Sequence, residues 1–117
     1  MQRIEGTEIH LTRGDTLYLA IDIQNENDTP YTPEDGDRLR FVMKHRDMDP
    51  NRRAYRDKEP LVEKEIPIQT MILKLDPSDT KPLNFGNYVY DIEFTSANGD
   101  VSTIINNALF EVVAEVD

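Results

Sequence analysis

Three groups of residues in this chain have types and spacings that could do chemistry. Arg13-Gly14-Asp15 matches the tripeptide with which some proteins offer a guanidinium and a carboxylate to integrins. It falls between two strand candidates, where Gly-Asp is ordinary turn chemistry, so the expectation is a turn and not a ligand. His10 and His45 are the only histidines and lie on separate segments with no His-x-x-x-His pair. A zinc site needs more convergent ligands than these two supply. The carboxylates of Glu34-Asp35-Gly36-Asp37 and of Asp76 with Asp79 are hard oxygen ligands in loops. They lack the spaced carboxylates and closing glutamate of a calcium loop, and read as caps and solvated turns. A carboxylate pair for glycoside chemistry carries no information here, because 23 acidic residues guarantee such pairs. Glycine-rich phosphate loop, nucleophile elbow and cysteine are all missing. The chain therefore reads as non-enzymatic, with no catalytic residue, no metal and no cofactor.

The elements that must position any site read as strands. From Gly86, residues Tyr88, Tyr90, Ile92 and Phe94 fall on alternate positions, while Asp91, Glu93 and Thr95 take the other face. That is the pattern of a half-buried antiparallel strand. Reading between turn signals gives eight strand candidates. They are Thr7 to Leu11, Thr16 to Gln24, Arg38 to His45, Leu61 to Ile66, Thr70 to Leu75, the Gly86 strand, Val101 to Ile105, and Ala108 to Val116. Asn98-Gly99-Asp100 is a hairpin signal. Asp76-Pro77-Ser78-Asp79-Thr80 predicts one helical turn, since Asp76 can cap free amides and proline suits the first helical position. Residues 25–37 and 46–60 are polar connections. No segment has sustained helical periodicity. The chain is all-β, and frequent turns between short strands point to a sandwich or small barrel. Leu19, Ile21, Phe41, Leu73, Tyr90, Ile92 and Phe110 are expected to meet in one core.

Length and charge bound the rest. A chain of 117 residues holds one domain, 1–117, and can bury enough surface to fold without disulfides. Thirteen basic against 23 acidic residues give a net charge of -10, which repels phosphates and anionic lipid. Nucleic acid and membrane insertion are therefore not expected. No apolar run approaches the ~20 residues that span a bilayer, and the N-terminal residues show no secretory leader. Asn27-Asp28-Thr29 is a glycosylation acceptor triplet, with meaning only in a eukaryotic secretory pathway.

Two regions suggest protein contacts. The connection 46–60 carries five of the thirteen basic residues, and Arg52, Arg53, Tyr55 and Arg56 are candidate anchors for an acidic partner; a solvated loop is the alternative. In Ala108 to Val116, Leu109 and Val113 are apolar on the face that should be polar. They are candidate interaction residues for self-association or docking, together with the neighbouring strand edge.

Leu83-Asn84-Phe85-Gly86-Asn87-Tyr88-Val89-Tyr90 also has the layout of an immunoglobulin-type corner, with Tyr88 as the corner tyrosine and Tyr90 in the core; an ordinary aromatic strand is the alternative. Together with Thr12-Arg13-Gly14-Asp15-Thr16 and the Pro30-Tyr31-Thr32-Pro33 loop before Arg38-Leu39-Arg40-Phe41-Val42, the Gly86 strand resembles the immunoglobulin-like N-terminal domain of phage baseplate upper proteins. Related small prophage proteins of Gram-positive bacteria are similar. The resemblance implies an antiparallel immunoglobulin-like β-sandwich of about seven to eight strands. It further implies a virion component, made in the bacterial cytoplasm, that binds other phage structural proteins or itself. A carbohydrate- or cell-surface-binding module on the same scaffold is the alternative.

Overall fold

The computed structural model describes residues 8–24, 27, 29–45 and 61–114. Seven strands and one helical turn follow along them: β1 (Ile9–Thr12), β2 (Leu17–Ala20), β3 (Arg38–His45), β4 (Val62–Ile66), β5 (Ile72–Leu75), α1 (Pro77–Thr80), β6 (Gly86–Thr95) and β7 (Val101–Val113). Five strands form one sheet in the order β1-β7-β6-β3-β4, and β2 pairs with β5 in a second sheet. The fold is all-β. The expected residues meet in one core: Ile21, Phe41, Leu73, Tyr90, Ile92 and Phe110 are buried together, and Leu19 packs against them. The Phe41, Tyr90 and Phe110 rings lie with centroids 5.5 to 6.3 Å apart, which adds ring–ring attraction to the burial.

The β6 alternation is realised in full, with Tyr88, Tyr90, Ile92 and Phe94 all buried. At its start the Tyr88 hydroxyl donates to the Asn84 carbonyl at 2.7 Å. This bond returns to the backbone four residues upstream and fixes the corner at which the chain enters the strand.

Three sequence expectations need correction. The sheet is not wholly antiparallel, because β1 runs parallel to β7, with Ile9 opposite Phe110 and Leu11 opposite Val112. The turn after β1 passes the chain to the other sheet, so β1 takes a neighbour remote in sequence instead of a hairpin partner. The last two strand candidates are one strand. β7 runs without a break, but its register against β6 slips between Tyr90 and Ile92 and again between Ile92 and Glu93. These bulges place Asn107 at φ +51° and bury Ile104 and Ile105 in succession, which strict alternation forbids. Finally, the second strand is shorter than Thr16 to Gln24. It leaves the β5 ladder after Ile21 bonds Met71, yet Ile21 and Ile23 remain buried on the predicted face.

The predicted helical turn is present. The Asp79 carboxylate accepts the Asp76 amide at 2.7 Å, so a side chain inside the turn reaches back to its start. Lys64 on β4 lies 3.0 Å from Asp79 and 3.4 Å from Asp76, which ties the turn to the larger sheet.

Candidate interaction face

The polar clusters singled out in the sequence are used in building the fold. Arg13-Gly14-Asp15 is a turn in which the Asp15 amide donates to the Thr12 carbonyl at 3.0 Å and Gly14 takes φ +86°. The Gly14 amide donates to the fully buried Thr80 hydroxyl oxygen at 2.9 Å. The Arg13 guanidinium covers the Phe85 ring at 4.4 Å and reaches the Leu83 carbonyl. The tripeptide is therefore docked against α1 and the β6 corner. Asn27 accepts the Thr29 hydroxyl at 2.6 Å, a local turn bond.

Asp37 is not solvated, as the sequence suggested, but buried. Its carboxylate accepts the Tyr31 hydroxyl at 2.5 Å, the Glu34 amide at 2.8 Å and the Ala97 amide at 3.0 Å. Burial alone would raise its pKa, but these three donors, led by Tyr31, hold it below the ordinary carboxylate value. Burial, and then the Asp37 carboxylate, push the Tyr31 hydroxyl up to about 12. At the other acidic cluster, hydrogen bonding to Lys64 comes first in lowering Asp76. Among the described residues no group of three His, Cys, Asp or Glu could hold a metal ion.

The histidines stay apart. His10 on β1 meets Glu111 at 2.7 Å and Glu8 at 3.6 Å. The Glu111 hydrogen bond is the main cause that raises its pKa. The His45 ring lies against Tyr88, with centroids 5.6 Å apart.

The surface that remains is the outer face of the five-stranded sheet. Register alignment places Leu109, Val89 and Lys44 in one row across β7, β6 and β3, and Asp91, Val42 and Glu63 in the next across β6, β3 and β4. Leu109 and Val89 are half-buried, Val42 is 7% exposed, and Val113 is 37% exposed opposite Thr12. Ion pairs surround this apolar centre. Lys44 lies 3.5 Å from Asp91, Arg38 lies 3.1 Å from Glu65, and Arg40 pairs with Glu63 and, at 3.8 Å, with Glu93. Asp91 also accepts the Asn107 amide at 2.7 Å, so the bulge in β7 and the Lys44 pair share one carboxylate. An apolar centre within a polar rim is the anatomy of many protein interfaces.

Leu109 and Val113 thus lie on one face, as expected, but β7 is an inner strand; the edges of this sheet are β1 and β4. Arg52, Arg53, Tyr55 and Arg56 lie outside the described residues. Val42 and Val89 were missed, although the signal was legible: each is an apolar residue at a solvent-side position of an alternating strand. A scan against protein-family models finds no match, and a search of curated proteins finds no similar sequence.

Proposed function

We propose that the chain is a non-enzymatic structural module of a phage or prophage particle, associated with the tail or baseplate, built as an immunoglobulin-like β-sandwich. The sandwich reading is supported by the strand order of the larger sheet, its two-stranded partner, and the Tyr88 hydroxyl bonded back to Asn84 at the start of β6. The observation that carries an interaction role is the outer face, where Leu109 and Val89 sit half-buried inside a frame of ion pairs. The assignment to a particle rests on the sequence resemblance. Its partners are other phage structural proteins or a second copy.

Sedimentation velocity of the wild-type chain and of a Leu109→Asp, Val113→Lys double variant tests the interaction role. The variant should keep the wild-type circular dichroism but lose self-association or binding to neighbouring tail proteins. A wild-type chain that stays monomeric, and binds those proteins no better than the variant does, overturns it. Flanking tail genes support the particle assignment, and flanking polysaccharide-utilisation genes oppose it. The carbohydrate-binding alternative draws on exposed Tyr18 and Phe85, but Arg13 covers one face of Phe85.

A further inference from the structure

Strand β2 is a short edge strand with no lysine, proline or bulge of its own. The Ile21 amide donates to the Met71 carbonyl at 2.8 Å, and the same register sets Leu19 opposite Leu73 and Leu17 opposite Leu75. Hydrogen-bonded and non-hydrogen-bonded pairs alternate along an antiparallel ladder, so Leu17, Leu19 and Ile21 turn their backbone groups toward β5. Tyr18 and Ala20 aim theirs the other way, where no described strand pairs with them. Their side chains are exposed as well, Tyr18 at 65%. Soluble proteins blunt such edges with lysine, proline or a bulge. Leu17-Tyr18-Leu19-Ala20-Ile21 has none of these, in a chain with 31% charged residues. The other strand of the sheet, β5, carries Lys74.

Charge selects the occupant. Exposed Asp15 and Asp22 bracket the edge. Antiparallel pairing of two copies through the outward groups, Tyr18 of each with Ala20 of the other, would set Asp22 of each opposite Thr16 of the other and beside its Asp15, between chains of net charge -10. Like charges brought together across a ladder are destabilising, and opposite charges there are favourable. We propose that β2 is a strand-addition site for an extended segment of a partner protein, apolar at its centre and flanked by Lys or Arg. This edge belongs to the smaller sheet and is separate from the outer face of the five-stranded one.

Amide hydrogen exchange by NMR tests it, using as probes the capped heptapeptide Lys-Val-Thr-Val-Thr-Val-Lys and its Glu-flanked counterpart. In the protein alone, the Tyr18 and Ala20 amides should exchange at least about tenfold faster than those of Leu19 and Ile21. The basic peptide should slow both by about tenfold, and the acidic peptide should not. Ala20→Pro removes an edge donor but no bond to β5 and should abolish the effect. Tyr18→Lys, which leaves the backbone intact, should weaken it in the same direction. Tyr18 and Ala20 amides already protected in the free protein would overturn the proposal, because the chain itself or a second copy would then hold the edge. Equal protection by both peptides, or protection that survives in both variants, would overturn it as well.

Discussion

Asp37 and Tyr31 make stability depend on pH at both ends of the scale. The Asp37 carboxyl titrates below its unfolded value, so its contribution is complete above the ordinary carboxylate range and is lost as pH falls through the lowered folded value. Tyr31 holds its proton up to about 12 against the usual 10.0, so its contribution is complete below 10.0 and is lost as pH rises toward 12. The urea midpoint should therefore fall on both sides of a neutral plateau. Asp37→Asn should flatten the acid limb, and Tyr31→Phe the alkaline one. A second prediction at this scale concerns Tyr88. Removing its hydroxyl in Tyr88→Phe deletes one neutral hydrogen bond whose acceptor lies on an exposed residue, so urea unfolding should show a loss of about 1 kcal/mol.

At the scale of elements, the double bulge in β7 sets which residues face the core. It lets Ile104 and Ile105 both be buried and returns Phe110 and Val112 to the inner face, leaving Leu109 outward. Asn107 absorbs the geometry at φ +51°, a region that asparagine and glycine tolerate and β-branched residues avoid. Asn107→Gly should change the thermal midpoint little. Asn107→Val should cost about 1–2 kcal/mol by the penalty for that conformation, and should also loosen the Asn107 amide from Asp91. If Asn107→Val matches wild type in thermal unfolding, the bulge is not where the register is fixed. The turn between β1 and β2 is a second such joint, since Gly14 bonds Thr80 across 66 positions of sequence.

For the whole molecule, charge is the governing quantity. A net charge of -10 on 117 residues opposes compaction through self-repulsion, whereas the exposed pairs on the outer sheet face are each worth only ~0–1 kcal/mol. Screening should weaken the repulsion more than the pairs. Raising sodium chloride from about 0.01 M to about 0.15 M, which shortens the screening length from roughly 30 to 8 Å, should raise the thermal midpoint. A falling midpoint would mean that the Arg38 and Arg40 pairs contribute more than exposed pairs ordinarily do. The apolar core stands apart from this balance. Phe110→Ala, at a fully buried position against Phe41 and Tyr90, should cost about 3–5 kcal/mol in urea unfolding at any salt concentration.

The sequence by itself determined what depends on local order. Alternation in β6 and β3, the proline-led turn at Pro77, and the Gly-Asp turn after β1 were legible because side-chain period and backbone preference act over a few residues. The core residues followed from the same periods. The tertiary structure alone decided what depends on strands distant in the chain. Ile9 beside Phe110 could not be read, because β1 pairs with a strand about a hundred residues away. The slip near Ile92 was invisible because a bulge is defined by the partner strand's count of residues, not by its own. Asp37 looked like one more carboxylate in an acidic loop; only the fold brings the Tyr31 hydroxyl and the Ala97 amide to it, sixty positions apart in the latter case. Leu109, Val89 and Val42 were each legible as apolar residues on a polar face, but their assembly into one patch is set by register, which the physics of one strand does not contain.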